Sequence, residues 1–257
     1  MAMPPGWIVP EWPVPENVRA VCTTRAGGRS LSPYDSLNLG DHVGDAPQAV
    51  AANRRLLAEA IQARPVFLKQ VHGTGVALLH AATPDGTEAD AGITTAEGVA
   101  CTIMVADCLP VLLALRDGRA VAAAHAGWRG LAGTNGRGIL EAVWDNLREQ
   151  TGAQAGETMA WLGPCIGPAS FEVGPEVKAA FEEQDPAAGS LFRAHGPGKW
   201  LADLPALARR RLLVLGVTQL YGNDGSPEWC TVANPSRFFS HRRDRVSGRF
   251  AAGIWRL

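Results

Sequence analysis

The stretch Val99–Gly130 reads VACTIMVADCLPVLLALRDGRAVAAAHAGWRG, and its interpretation decides the fold. An apolar run breaks at Ala106-Asp107-Cys108 and resumes. It then turns at Asp117-Gly118 and returns as a second apolar run to His125. Asp-Gly between β-rich apolar runs predicts a hairpin, because tight hairpin turns need positive φ at central positions. Equal steps from that turn set residue 108 opposite residue 126, give or take a bulge. Directly opposed side chains lie ~5 Å apart, so Cys108 and His125 are expected to share one ligand at the mouth of the hairpin. A Gly-Trp-Arg-Gly corner follows at once.

The rest of the chain gives this hairpin a setting. With 257 residues, 46% hydrophobic and 19% charged, it has the composition of a soluble enzyme large enough to bury a sizeable core. A net charge of -1 gives no basic surplus for nucleic acid. No apolar run approaches the ~20 residues needed to span a bilayer. The Pro-rich start, MAMPPGWIVPEWPVPENV, has neither the basic end nor the apolar centre of a signal peptide. The expectation is a cytoplasmic monomer without nucleic-acid or membrane partners. The five cysteines at 22, 101, 108, 165 and 230 are odd in number and form no CxxC pair. They suggest neither a disulfide framework nor a zinc ribbon.

Outward from the hairpin, strands are expected at Val18–Thr24, Pro65–Val71, Gly75–His80, Met159–Leu162, Thr218–Tyr221, Trp229–Val232, Arg237–His241 and Phe250–Trp255. Helical spacing predicts helices to about Gln62, over 135–150, from Pro175 to about Glu183, and over 204–215. Asp45 with Gln48 resembles a capping box for the first of these, with Pro47 in its first turn. Residues 25–45 form a long Gly, Ser, Asn and Asp loop holding Arg25, Asn38 and His42; loops of that length are functional or disordered. No repeat or linker divides the chain. One α+β domain over 1–257 is expected, with 1–17 as an N-terminal arm.

Of the six histidines, His72 and His125 each close an apolar strand and precede a small residue, where side chains emerge at a sheet end. Cys108 lies in a similar break. Two imidazoles and a thiolate suit Zn²⁺ or copper, and three protein ligands leave the fourth position open, as catalytic sites do. Arg129, in the Gly-rich corner, suits an oxyanion or phosphate, and equally reads as a solvated loop charge. The cluster His241-Arg242-Arg243-Asp244 is either a second basic site or an exposed turn. Asp107 is a turn former or a partner that orients a ligand.

Six motifs occur together and in order: Lys69-Gln70-Val71-His72-Gly73, Ala106-Asp107-Cys108-Leu109-Pro110, His125-Ala126-Gly127-Trp128-Arg129-Gly130, Gly163-Pro164-Cys165-Ile166-Gly167-Pro168, Phe171-Glu172-Val173-Gly174 and Arg242-Arg243-Asp244. The chain closely resembles the YfiH-like family, also called the multicopper polyphenol oxidoreductase or laccase-domain family and described as purine nucleoside phosphorylases. The resemblance implies a single-domain α/β/β/α-type sandwich with mixed sheets, YfiH-like or cysteine-hydrolase-like. It implies a zinc site, with copper as the alternative, on His72, Cys108 and His125, which are also the catalytic residues. It further implies phosphorolysis of adenosine, inosine and methylthioadenosine, with adenosine deamination, so that nucleoside and phosphate are the partners. Arg25, Asn38, His42 and Arg129 match the family pattern and are expected to bind substrate.

Two functional readings follow, and a third fails. A multicopper oxidase needs a blue-copper site and a trinuclear cluster, consuming about ten histidines, typically as His-x-His pairs. This chain has six histidines and no such pair. A zinc-dependent purine nucleoside enzyme is the first reading. The second is a cysteine hydrolase or amidase with Cys108 as nucleophile and His125 as base, acting on a substrate such as a peptidoglycan precursor. A Cys-His dyad has no need of His72, which favours the metal.

Overall fold

The computed structural model describes residues 3–257. Its strands in chain order are β1 (Val18–Cys22), β2 (Arg64–Phe67), β3 (Val76–Leu78), β4 (Ala91–Thr94), β5 (Val99–Val105), β6 (Leu109–Leu115) and β7 (Val121–Ala126). After these come β8 (Thr158–Leu162), β9 (Glu172–Val173), β10 (Phe192–Ala194), β11 (Trp200–Ala202), β12 (Gln219–Gly222) and β13 (Phe250–Arg256). The helices are α1 (Pro47–Ile61), α2 (Trp128–Ala132), α3 (Ile139–Thr151), α4 (Pro175–Glu182), α5 (Leu204–Val214) and α6 (His241–Asp244).

The strands form a four-stranded sheet in the order β1-β13-β5-β2, a six-stranded sheet in the order β12-β8-β6-β7-β4-β3, and a small sheet β10-β11-β9. Both larger sheets mix parallel and antiparallel pairs. Side-chain alternation along β6 shows how they pack. Leu109, Val111, Leu113 and Leu115 face a core built with α3 and α5, through Leu140, Val143, Leu147, Leu207 and Leu212. Leu112 and Ala114 point the other way, into a core shared with Cys101, Ile103, Phe250, Ala252 and Ile254 of the four-stranded sheet. That sheet's outer face carries Ala100, Met104 and Trp255 against Leu57 and Ile61 of α1. The layers therefore run helix, sheet, sheet, helix. Because each large sheet is covered on both faces, its strands are apolar throughout rather than alternating.

This packing separates the two apolar runs on either side of Cys108. β5 hydrogen-bonds to β13 and β2, whereas β6 belongs to the other sheet. Residues 106–108 are thus the step by which the chain crosses between sheets. The predicted hairpin is present as β6 and β7, with Leu109 opposite Ala126 and Pro110 opposite His125. The register is one residue from that expected.

Other departures are local. Helix α1 starts from Ala46 without a side-chain cap; the Asp45 carboxylate is engaged by the Asn38 side chain and the Ala46 N–H, so the expected capping box does not form. Residues 229–232 make only the isolated bridge Cys165–Cys230, because the Asn234 side chain donates to Pro227 O and Cys230 O and curls the segment. Residues 237–241 form no strand: Arg237 N–H and Phe238 N–H both bond back to Asn234 O in a turn. Ser240 then caps α6 through Arg243 N–H. The predicted loop 185–199 contains a 3₁₀ turn and β10. The N-terminal arm is tied down by an Ile8–Cys22 bridge and an edge-to-face contact of Trp12 with Tyr221, with Ile8, Trp12 and Val14 on the inter-sheet core; its residues 1–2 lie outside the described residues. No helix among the described residues is long and apolar enough to cross a membrane.

Candidate active site

Where the chain crosses between sheets, three strand ends meet. His72 follows β2, Cys108 precedes β6, and His125 is the penultimate residue of β7. Their ligating atoms all lie within 4.8 Å of one another, with Cys108 Sγ 3.7 Å from His72 Nε2. The two imidazoles meet edge to face with centroids 4.7 Å apart. His125 is buried, Cys108 is partly buried and His72 is exposed, so the group opens to one side.

The arrangement is held by one carboxylate that sequence reading missed. Asp90, fully buried, accepts the backbone N–H groups of His72 (2.9 Å), Gly73 (2.7 Å) and Val71 (3.2 Å). Its Oδ1 also lies 2.8 Å from His125 Nδ1, and its carbonyl accepts His125 N–H. An ionised carboxylate only accepts, which puts the imidazole proton on Nδ1 and turns Nε2 toward the site. His72 adopts φ of +62°, a conformation that costs a non-glycine residue about 1–2 kcal/mol and that the converging N–H bonds to Asp90 hold in place. Gln70 fixes the same loop to β5 by a two-way bond: its Nε2 donates to Met104 O and its Oε1 accepts Met104 N–H. Asp90 lies between Ala89 and Ala91 at the start of β4.

Two further backbone features shape the site. Asp107 has φ of +93°, and its carboxylate accepts from the Thr231 hydroxyl and from Arg242 N–H, both at 2.6 Å. The crossing loop is thereby tied to α6. Gly127 leaves room for the thiol: a Cβ there would come within 2.9 Å of Cys108 Sγ and 3.1 Å of His72 Cδ2.

Electrostatics follow from these contacts. Burial pushes the Cys108 thiol up, but the charge and hydrogen bond of His125, with those of His72, outweigh it and bring it down to about 6. Burial disfavours the His125 imidazolium, yet the Cys108 sulfur and Asp90 raise it to about 9. Asp90 is held below the usual carboxylate range, burial being overcome by His125 and the loop N–H groups. The other environments contrast: burial pushes the Cys22 and Cys101 thiols up, and likewise Cys165.

The donor set fits a divalent metal. Bond lengths of ~2.0–2.1 Å to nitrogen and ~2.3 Å to sulfur place tetrahedral ligands roughly 3.5 Å apart. The Cys108–His72 pair is already near that value, and His125 Nε2 faces Cys108 while Nδ1 is anchored by Asp90, the usual outer partner of a ligating histidine. Three protein ligands would leave a fourth position for water or substrate.

The group opens onto a cavity of about 460 Å³. Its apolar wall includes Met104, Trp128, Ile166, Phe171 and Leu204; its polar wall includes His42, Gln70, His241, Arg242, Arg245 and Arg249. Among the residues expected to bind substrate, the structure brings only His42 here. Asn38 is buried behind the wall, where its Oδ1 accepts Gly40 N–H and Arg249 N–H and its Nδ2 donates to Gly40 O and Asp45. Arg25 is engaged by Asp35 and Pro235 O at a separate shallow depression and stacks on Phe239. Arg129 is exposed and lies over the Trp128 ring, 4.5 Å from its centroid. The corner's glycine backbone is needed for packing, since a Cβ on Gly130 would meet Gly73 O at 2.7 Å. Arg245 and Arg249, by contrast, lie just beyond the basic cluster read from sequence.

The site's surroundings have counterparts in known proteins. The model of the family described as "Multi-copper polyphenol oxidoreductase laccase" matches residues 19–257. The chain is 49% identical over 251 residues to a purine nucleoside phosphorylase of Pseudomonas aeruginosa, covering 97% of this chain and 98% of that protein. It is 47% identical over 250 residues to the purine nucleoside phosphorylase YfiH of Escherichia coli, covering 96% and 98%. The crystal structure of a Neisseria meningitidis protein superposes with a TM-score of 0.87 at 44% identity, covering 98% of this chain and 99% of that one. YlmD from Geobacillus stearothermophilus gives 0.89 at 31% identity, covering 100% and 98%.

Proposed function

The chain belongs to the multi-copper polyphenol oxidoreductase laccase family, and from that premise we propose that it is a zinc-dependent purine nucleoside phosphorylase acting on adenosine, inosine and methylthioadenosine, with adenosine deaminase activity. The observation that carries this reading is the convergence of His72, Cys108 and His125 at the base of the cavity. The names of the relatives supply the substrate class. In this reading the three residues are both the metal ligands and the catalytic group, and copper is the alternative ion. The five free thiols fit a reducing compartment.

Each part of the cavity has a task. The apolar wall of Phe171, Ile166, Leu204 and Trp128 suits a flat purine ring, whose desolvation it favours. The guanidinium groups supply positive charge for an anion. In phosphorolysis, a phosphate oxygen bonds to C1′ of the ribose while the bond from C1′ to the purine nitrogen breaks and the base leaves with the electron pair. Asp90 keeps His125 Nδ1 protonated and its Nε2 directed into the cavity. Zinc, when bound, supplies Lewis acidity and lowers the pKa of water to ~7, which is what deamination of an aminopurine requires.

Elemental analysis of the purified protein, alongside assays of adenosine, inosine and methylthioadenosine with phosphate and product identification, tests the reading. We expect about one zinc per chain, ribose 1-phosphate and free base, and loss of metal and turnover in Cys108→Ala. Full turnover by metal-free protein would overturn it.

One observation favours a second reading. Cys108, His125 and Asp90 form a thiolate, imidazole and carboxylate in series, the arrangement of a cysteine hydrolase or amidase. Iodoacetamide separates the two: a ligated thiolate resists alkylation until a chelator is added, whereas a free nucleophile reacts at once.

A further inference from the structure

We propose that Arg242, Arg245 and Arg249 form the oxyanion subsite of this cavity, the place where inorganic phosphate is held; this rests on the phosphorylase reading above. All three line the cavity. None is paired with a carboxylate among the described residues, whereas Arg243 in the same segment is paired with Asp244. Arg242 also lies over the Phe171 ring, 5.6 Å from its centroid, a contact that leaves its charge uncancelled, and no carboxylate among the described residues takes up the charge of the three.

Two of the three forks are anchored by neutral acceptors at one end only. Arg242 donates from Nη1 to Glu172 O, and its backbone N–H is fixed by Asp107. Arg249 donates from Nη1 to Ser247 O and Gly248 O, and its backbone N–H is fixed by the buried Asn38 side chain. A carbonyl orients a guanidinium without cancelling its charge. Nε and Nη2 of both residues have no hydrogen-bond partner among the described residues, and neither has the Arg245 side chain. Five planar donors per guanidinium suit bidentate recognition of phosphate.

The nearest opposing charges do not neutralise the group. Both Asp107 oxygens are already engaged, by Thr231 and Arg242. Asp107 is one carboxylate beside three guanidinium groups in the cavity lining. Arg249 is half-buried, its stem packed so closely on Gly40 that a Cβ there would meet Arg249 Cγ at 2.7 Å. Asn38 therefore acts as a positioning residue for Arg249, which accounts for a buried asparagine with every polar atom satisfied behind the wall. The exposed Arg129, stacked on Trp128, has no place among these donors.

Steady-state kinetics with phosphate varied at saturating inosine, and inosine varied at saturating phosphate, test the assignment on the intact protein. Arg245→Gln removes an exposed side chain, and Arg249→Lys keeps the stem and the charge but loses the fork. Each should raise the phosphate KM about 10- to 100-fold, the worth of charged hydrogen bonds. The inosine KM should move less than about 3-fold, because uniform loss of one substrate's binding leaves the other's alone. A parallel thermal-shift titration with inorganic phosphate alone should stabilise the wild type and not the variants. An unchanged phosphate KM in both variants, or a rise in Arg129→Gln instead, overturns the subsite. Phosphate stabilisation in a wild type that cleaves no nucleoside would support the subsite and overturn the phosphorylase reading.

Discussion

Asp90 is the residue whose replacement tests the site most sharply, and Asp90→Asn is the variant of choice because it keeps the size. Oδ1 serves His72 N–H and His125 Nδ1; Oδ2 serves Gly73 and Val71 N–H. Whichever way the amide is turned, its NH₂ faces two groups that need an acceptor. Turned toward Oδ2's partners, it breaks the loop that carries His72. Turned toward Oδ1's, it drives His125 to the other tautomer and puts a proton on the Nε2 that would ligate a metal. Loss of two bonds to a charged, buried acceptor at ~1.5–3 kcal/mol each amounts to about 3–6 kcal/mol, a large share of the ~5–15 kcal/mol that holds a domain folded. Zinc affinity should fall about 10- to 100-fold, as for other partners of ligating histidines. Urea unfolding of the metal-free protein, with zinc titration by calorimetry, measures both. Metal-free stability within about 1 kcal/mol of wild type, together with zinc affinity within about 3-fold, would refute the reasoning, these limits lying well below the expected losses.

Further outcomes follow from the same contacts. In the metal-free protein the Cys108 thiolate and His125 imidazolium are both present between about pH 6 and 9. The depressed thiol contributes stability that is lost as pH falls through about 6, and the raised imidazole contributes stability that is lost as pH rises through about 9. Between those limits the thiolate's gain with rising pH and the imidazolium's loss cancel, because the unfolded histidine and cysteine shed their protons near 6.5 and 9.0. Urea midpoints of metal-free protein should therefore stay nearly level across that window. Zinc binding at pH 7.5 should release about one proton, from His125, read as a buffer-dependent calorimetric enthalpy. Gly127→Ala should lower zinc affinity about 10-fold or more with little loss of stability, since its φ is ordinary and its new Cβ displaces Cys108 Sγ and His72. Leu112→Ala, fully buried between the sheets, should cost about 2–5 kcal/mol in urea unfolding without altering zinc stoichiometry.

How far these contacts were legible beforehand depends on what kind of signal each leaves in the chain. The β6–β7 hairpin was legible because Asp117-Gly118 is a turn chemistry that few alternatives share. Cys108 and His125 could then be placed by counting, and the one-residue slip in register did not separate them. The split of β5 and β6 between two sheets was not legible. Both strands are buried on both faces, so no alternation marks which side faces which layer. Nothing in VACTIMVADCLPVLLAL distinguishes a crossing between sheets from a bend within one. The crossing matters because it is what delivers Cys108 to the edge where β2 and β7 also end.

The missed and misplaced residues share a physical cause. Asp90 lies in a polar stretch whose other members are turn residues, and only the three-dimensional convergence of Val71, His72 and Gly73 N–H groups on it reveals its task. Asn38 and Arg25 were read as pocket residues because polar groups in a long loop are usually solvated or ligand-facing. Here the loop folds inward, and these groups satisfy its buried backbone instead. The same accounting separates the arginines. Arg129 has its guanidinium over an aromatic ring in solvent, while Arg249 presses its stem into Gly40 and retains unpaired donors at the cavity wall. A guanidinium's use is set by where its remaining donors can go once the backbone has taken its share. Motif order alone cannot show that, because the carbonyls and carboxylates that occupy those donors come from segments as distant as Glu172 is from Arg242.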